Sequence, residues 1–157
     1  DDGPGVAQSR AMKPIVIATD LTRASEPAVL QGMTLARDLN ADVVLVHAWE
    51  PSSITVLDAT LMESPEHVAA KTRGLQQALD VLAERYRPEE TRLTSRLIEG
   101  RPAEVIANLV RETGARLVVV GTHEKTGLRR ILGSTADEIV RTSPAPVLVV
   151  HAHHEGA

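Results

Sequence analysis

The chain of 157 residues contains no cysteine and no phenylalanine, and it has a single tryptophan, Trp49, and a single tyrosine, Tyr86. Without cysteine there is no disulfide framework, no thiolate metal site and no cysteine nucleophile, which agrees with a reducing compartment. Because aromatic residues are nearly absent, stacking platforms for bases or sugars are not expected. The core must therefore be built from aliphatic side chains.

Positive charge and long apolar runs are also scarce. The chain has 17 Lys and Arg against 21 Asp and Glu, a net charge of −4 at pH 7, which argues against binding to nucleic acid or to an anionic membrane. No apolar run approaches the roughly 20 residues of a membrane helix, and no leader of charged and then apolar residues opens the chain. We expect a soluble, cytoplasmic protein with no nucleic-acid and no membrane partner.

Length and composition predict one compact domain, since 43% hydrophobic and 24% charged residues in a chain of this size suit a single core. Residues 1–12 lack apolar periodicity and are expected to be a disordered arm, a cloning remnant or sequence upstream of a native start at Met12. The domain is predicted over residues 13–151, followed by a frayed tail over 152–157. His151, His153 and His154 are closely spaced around the start of this tail, but a polar terminus explains them better than metal ligation, and no metal site is predicted.

Five short aliphatic runs are predicted to be strands. They are PIVIAT (14–19), DVVLVHA (42–48), TRLTSRLI (91–98), RLVVV (116–120) and PVLVVH (146–151). Four of them are nearly continuous in Val, Ile and Leu, which is typical of strands covered by helices on both faces. The third alternates apolar and polar residues, which indicates a half-exposed strand at a sheet edge.

Segments with helical periodicity separate these strands, each with recognisable start or stop residues. These are Ser25 with Pro27, Ser64 with Pro65, Pro102 with Gly114, and Ser134 with Asp137 as a capping box. Strict alternation of strand and helix predicts right-handed crossovers and a parallel sheet with helices on both faces. The predicted fold is therefore a doubly wound α/β protein, a three-layer αβα sandwich.

In such sheets a ligand binds where the carboxyl ends of the strands meet. The most informative segment that follows a strand is GTHEKTGLRRILGST, residues 121–135. Glycines permit close backbone approach, and a helix start offers free amides and the positive end of the helix dipole, so the segment suits a phosphate. The alternative is a turn followed by an ordinary Ser-capped helix. Neither a Walker loop nor a dinucleotide G-x-G-x-x-G motif is present.

Several features together resemble the universal stress protein family over about residues 13–151. They are the Thr19-Asp20 step, Gly100-Arg101-Pro102-Ala103, the VVVGTH run, Gly133-Ser134, and Pro144-Ala145-Pro146 before VLVV. The resemblance implies a Rossmann-like sheet of order 3-2-1-4-5, similar to adenine nucleotide alpha hydrolases, and commonly a homodimer. In one subclass it also implies ATP held by the pattern G-x2-G-x9-G-S/T. The nucleoside of that subclass is held at positions that match Asp20 and Ala48.

The expected cofactor is therefore ATP with Mg²⁺. The candidate nucleotide-binding residues are Ala18, Thr19, Asp20, Ala48, Gly121, Thr122, His123, Gly127, Gly133, Ser134 and Thr135. Asp20 either accepts from a ribose hydroxyl or serves as a turn residue before the first helix. His123 either contacts phosphate or fixes the turn.

The sequence departs from the ATP pattern in two ways: Glu124 replaces the second glycine, and eight residues instead of nine separate it from Gly133. A carboxylate near a triphosphate is repelled by about 1 kcal/mol in a wet site. Gly127 offers a flexible position in compensation, and Lys125, Arg129 and Arg130 are either phosphate contacts or a solvated surface.

Dedicated catalysis is not expected, since the chain lacks a G-x-S-x-G elbow, an H-E-x-x-H helix and paired carboxylates at a strand end. At most, slow incidental ATP hydrolysis is expected. A receiver-type phosphoacceptor domain would need an acidic cluster, an aspartate and a lysine where the chain has Asp20 alone, residues 98–100 and His151.

The leading prediction is a stress-response module that binds an adenine nucleotide, dimerises through Val147 to Val150 and engages an unknown protein partner. A nucleotide-independent interaction module of the same family is the alternative.

Overall fold

The computed structural model describes residues 12–122 and 132–152 of the chain. The elements within those ranges are β1 (Ile15–Ala18), α1 (Glu26–Asp38), β2 (Val43–Trp49), β3 (Ser53–Val56), β4 (Ala59–Met62), α2 (Pro65–Tyr86), β5 (Leu93–Glu99), α3 (Pro102–Thr113), β6 (Leu117–Thr122), α4 (Ser134–Thr142) and β7 (Val147–His151). A short 3-10 turn, Arg23–Ser25, precedes α1. Residues 1–11 of the predicted arm and the last five residues of the predicted tail lie outside the described residues.

Five strands form one parallel sheet of order β5-β2-β1-β6-β7. This confirms the predicted αβα sandwich and the order 3-2-1-4-5 that the resemblance implied. The central strand β1 is paired on both sides, with Ile17 opposite Leu45 of β2 and Val119 of β6. The alternating run became the edge strand β5, and the last strand, β7, is the opposite edge, both as predicted.

The aliphatic strands bury two core clusters, one on each face of the sheet. Ile15 and Ile17 face α1 and α2, whereas Val16 faces α3 and α4, as the alternation of side chains along a strand requires. α1 packs closely because Gly32 lies over Ile17: a Cβ at Gly32 would be 2.6 Å from Ile17 Cδ1. Glycine at this position therefore sets the distance between helix and sheet.

The predicted helix ends are confirmed in part. Ser64 Oγ accepts a hydrogen bond of 3.2 Å from the His67 amide at the start of α2, and Gly114 ends α3 in the left-handed conformation, φ +66°. Ser25 occupies the N-cap position of α1 but makes no side-chain capping bond. The capping box at the fourth helix is wrong, because Gly133 is the N-cap and Ser134 is already the first helical residue.

The antiparallel hairpin of β3 and β4 was not predicted. Its two-residue turn, Leu57 and Asp58, has positive φ at both positions, 48° and 63°. Such turns favour Asn-Gly or Gly-Gly, so Leu-Asp gives no sequence signal for a hairpin. None of the helices within the described residues combines the length and apolar character needed to cross a membrane.

Candidate functional site

The carboxyl ends of β1, β2 and β6 meet at one edge of the sheet, and the loop after β1 is tightly built. Thr19 is buried at the end of β1. Its Oγ1 lies 2.8 Å from Ser25 Oγ and accepts from the Leu21 amide at 3.1 Å. Ser25 Oγ donates its only proton to the Thr22 carbonyl, 2.8 Å, so Thr19 must be the donor to Ser25. These three linked hydrogen bonds fix the backbone on both sides of Asp20.

Asp20 is exposed and lies at the centre of this loop. Its Oδ1 accepts from the Thr22 amide at 2.9 Å and from Thr22 Oγ1 at 2.6 Å. The next residue, Leu21, has φ +64°, a conformation that bulky residues rarely adopt. The turn interpretation of Asp20 therefore describes the two hydrogen bonds that Oδ1 accepts from Thr22. A carboxylate accepts about four hydrogen bonds, so a ligand role does not require these two to break.

His47 fixes the end of β1 from the neighbouring strand β2. Its Nδ1 lies 2.8 Å from the Thr19 carbonyl, and because a carbonyl oxygen only accepts, Nδ1 carries the proton. The Thr19 amide in turn donates to the Val46 carbonyl, 2.9 Å. Thr19 is thus held through its amide, its carbonyl and its hydroxyl.

On the α3 and α4 side of this edge lies an apolar surface, which we call the apolar floor. It consists of Ala18, Ala48, Ile98 and Leu132, each half-buried against the core cluster below it. Two of the four are alanines at the ends of central strands, so the space above them is not filled by their own side chains. Such a surface suits the face of a flat, weakly polar ring.

Gly121 and Thr122 belong to β6 itself, two residues beyond the predicted strand end at Val120. A Cβ on Gly121 would be 3.3 Å from Ala28 Cβ, so this glycine allows α1 to approach the sheet. Thr122 is buried, and its Oγ1 lies 3.4 Å from His151 Nδ1. Both residues are thus engaged within the fold at the end of β6.

The start of α4 carries backbone donors that no side chain of its N-cap residue satisfies. Gly133 is its N-cap and has no side chain to satisfy the first amides; Ser134 and Thr135 are the first two helical residues, and both are exposed. Among the described residues, no heavy atom lies within 4 Å of a Cβ built on Gly133. Amides at a helix start, together with the helix dipole, form a site for an anion.

Of the other site candidates, His123 and Gly127 lie outside the described residues, as do Glu124, Lys125, Arg129 and Arg130. The structure therefore places nine of the eleven predicted site residues at or near one edge of the sheet. Within the described ranges no group of three His, Asp or Glu side chains could hold a metal ion.

Two charged clusters hold the helices around this edge. Arg101, at the start of α3, donates to Glu138 of α4 at 3.0 Å and lies 3.5 Å from Glu104. At the start of α1, Glu26 accepts from Arg85 at 3.1 Å and from the Tyr86 hydroxyl at 3.0 Å. The pKa of Tyr86 is raised, first because its hydroxyl donates to the Glu26 carboxylate and also through burial.

Sequence reasoning missed two of the residues that shape the loop. His47 gave no signal, because its partner is 28 residues away in the chain. Ser25 was interpreted as a helix cap, whereas its hydroxyl supports Thr19. Only the pairing of β1 with β2 and the turn after β1 bring these groups together.

The fold and the site at the carboxyl ends of β1, β2 and β6 define a class of protein. They are typical of the doubly wound α/β proteins, whose ligand site lies at the carboxyl ends of parallel strands. A model of the universal stress protein family matches residues 12–151. A universal stress protein of Methanocaldococcus jannaschii is 32% identical over 139 residues, covering 88% of this chain and 81% of the relative. A relative from Bacillus subtilis is 28% identical, covering 87% and 97%. The chain belongs to the universal stress protein family.

Solved structures agree with this fold. A universal stress protein in complex with cAMP superposes with a TM-score of 0.69 at 23% identity, covering 91% of this chain and 99% of the other. A universal stress protein of Archaeoglobus fulgidus in complex with dAMP has a TM-score of 0.61 at 20% identity, covering 88% and 98%.

Proposed function

We propose that this protein binds an adenine nucleotide at the carboxyl edge of its sheet. The observation that carries the proposal is the start of α4. Its N-cap is a glycine with no heavy atom of the described residues within 4 Å of a built Cβ, and the exposed residues Ser134 and Thr135 follow it. Two relatives of the same fold are in complex with cAMP and dAMP, which supports an adenine nucleotide as the ligand class.

Each part of the site has a role in this proposal. The apolar floor receives one face of the adenine ring, since it is apolar and two of its four side chains, Ala18 and Ala48, are single methyl groups. Asp20, in its fixed loop, accepts from a ribose hydroxyl. The amides of Ser134 and Thr135 donate to phosphate oxygens.

We take ATP with Mg²⁺ as the ligand and binding, with no dedicated catalysis, as the activity. In this proposal Mg²⁺ arrives with the triphosphate and neutralises part of its charge. Slow hydrolysis would be incidental. The protein then serves in the cytoplasm as a stress-response module whose nucleotide state changes which protein partner it engages.

The proposed homodimer uses β7. This strand is an edge of the sheet and its first four residues, Val147 to Val150, are aliphatic and only half-buried. An apolar edge strand without a partner invites unwanted pairing, and a second copy would cover it.

The first test is thermal unfolding with ATP and Mg²⁺, ATP alone, ADP, AMP and cAMP. A ligand at 100 times its Kd stabilises the folded state by about 2.7 kcal/mol, which raises Tm by roughly 5–10 °C in a domain of this size. Gly133→Leu should abolish the shift, because its side chain would occupy the space at the start of α4. The same substitution at Gly74, a helical glycine that likewise has no described heavy atom within 4 Å of a built Cβ, should leave the shift intact.

A nucleotide-independent module is the second candidate, favoured by Glu124 and the shortened spacer in the sequence. It predicts no change in Tm under any of the five ligand conditions and no adenine absorbance in an extract of the purified protein. An unchanged shift in Gly133→Leu would instead show that the nucleotide binds elsewhere.

A further inference from the structure

The β3–β4 hairpin is exposed along both of its strands. Its turn residue Leu57 is 96% exposed and Met62 is 67% exposed. A two-stranded hairpin by itself is at best marginally stable in water, and three or more strands or a packed face are usually needed. The exposed apolar side chains of the hairpin are therefore expected to pack against another surface.

Strand register divides the hairpin into two different faces. Ile54 lies opposite Leu61, and Val56 lies opposite Ala59, so these four side chains share one face. Ile54, Val56 and Leu61 are 64%, 50% and 62% exposed. We call these three residues the hairpin apolar face.

The opposite face is mainly polar. Thr55 lies opposite Thr60, with their Oγ1 atoms 3.4 Å apart, and Ser53 lies opposite Met62. The hairpin is thus amphipathic, although both of its faces are exposed. Selective placement of the aliphatic residues on one face indicates that this face is the one to be covered.

The base of the hairpin is held in a fixed direction. Glu63 Oε2 accepts from the Ser52 amide at 3.0 Å, which closes the hairpin across its two ends. Lys71 of α2 lies 3.7 Å from Glu63, donates to Ser52 Oγ at 3.3 Å, and lies 5.8 Å from the centre of the Trp49 ring. The anchored base presents the hairpin apolar face in a defined orientation.

We infer that the hairpin apolar face packs against the same face of a second copy of this chain, forming a self-association interface separate from β7. The strands SITV and ATLM carry no charged residue, and the hairpin's one charge is Asp58 in the turn. Two such faces therefore meet across a two-fold axis without burying a charge, although each chain has a net charge of −4. An anionic membrane is disfavoured by that net charge and by Asp58.

The available area makes this a weak interface. A buried aliphatic side chain corresponds to roughly 60–120 Å². Because Ile54, Val56 and Leu61 are each one-half to two-thirds exposed, the face offers roughly 100–200 Å² per copy. A stable standard interface buries about 800 Å² per partner. The hairpin contact therefore forms at high protein concentration, or joins units that another interface has already paired.

The test is sedimentation velocity over a concentration series from low to high micromolar. Ile54→Lys places a charge in the contact and should raise the Kd of one association step by about tenfold or more. Thr55→Lys makes the same change on the opposite face and should leave that step unaltered. Circular dichroism and Tm should match the parent protein for both variants, since both sites are exposed.

Cross-linking gives an independent readout, because the chain has no cysteine. With a short bis-maleimide, Ile54→Cys should form covalent dimers faster than Thr55→Cys.

Three results would overturn the inference: no concentration-dependent association step, an Ile54→Lys profile equal to the parent, or faster cross-linking at Thr55. Loss of binding to anionic vesicles in Ile54→Lys, without any self-association, would assign the face to a membrane. Nucleotide-dependent Tm shifts should be equal in both lysine variants, so this test is independent of the proposed ligand site.

Discussion

Thr19 joins the core of the sheet to the loop that carries Asp20. Its amide and carbonyl are bound to β2, and its hydroxyl links the Leu21 amide to Ser25. Linked hydrogen bonds of this kind, sheltered from water, hold a loop in one conformation. The left-handed conformation of Leu21 is tolerated because the surrounding contacts determine it. Asp20 is thereby presented in a preorganised position.

Asp20→Asn tests the proposed ribose contact. An amide oxygen can still accept from Thr22, so the two hydrogen bonds that shape the loop should persist. The charge-assisted hydrogen bond to a ribose hydroxyl would be lost, which costs about 1.5–3 kcal/mol, or roughly 10- to 150-fold in Kd. Isothermal titration with ATP and Mg²⁺ measures this directly.

The control for this residue is Asp20→Ala, which also removes the acceptor for Thr22. It should lower Tm as well as affinity. Equal ATP affinity in Asp20→Asn and the parent protein would assign Asp20 to the turn alone.

At the scale of the elements, two helical glycines show how packing decides the effect of a substitution. In α1, a Cβ at Gly32 would lie 2.6 Å from the buried Ile17 side chain, whereas in α2 a Cβ at Gly74 would have no neighbour within 4 Å among the described residues. Helix propensity favours alanine over glycine by about 1 kcal/mol at both positions. Only at Gly74 does that preference act unopposed.

Gly74→Ala should therefore raise the free energy of unfolding by up to about 1 kcal/mol. Gly32→Ala should lower it by about 1–3 kcal/mol, because the core must shift to admit the methyl group. Urea denaturation measures both. A stabilising effect of Gly32→Ala would mean that Ile17 rearranges without cost, and the helix-to-sheet distance would then not depend on this glycine.

Element boundaries also show where sequence patterns succeed and fail. The four predicted helices and the five strands of the main sheet were found because aliphatic periodicity and Pro, Ser or Gly at their ends report local structure. The β3–β4 hairpin was missed because its turn, Leu57-Asp58, lacks the usual glycine or asparagine. The Ser134 capping box failed because the helix starts one residue earlier in register, with Gly133 as the N-cap.

For the whole molecule, the two edge strands of the main sheet, β5 and β7, differ in the polarity of their side chains. β5 is an edge with alternating polar side chains, whereas β7 is aliphatic from Val147 to Val150. The two strands thus form a natural pair of test and control.

If β7 pairs with β7 of a second copy, its outward amides should become protected from hydrogen exchange as protein concentration rises. Amides of β5 should exchange at the same rate at every concentration. Equal behaviour of the two edges, or a monomer throughout in sedimentation equilibrium, would contradict the β7 dimer. The Ile54→Lys variant should retain the protection of β7, because the hairpin is a separate interface.

The amino-acid sequence by itself determined the αβα class, because that class depends on short-range periodicity. It also placed Asp20 after the first strand and Gly133 at the start of the last helix, because residues that begin or end an element are recognisable locally. The tertiary structure alone decided that His47 and Ser25 support Thr19 and that Ala18, Ala48, Ile98 and Leu132 form one surface. It also decided that a hairpin with two uncharged strands is exposed and has Ile54, Val56 and Leu61 on one face. These contacts join residues far apart in the chain, and their geometry follows from strand order and register, which no local pattern specifies.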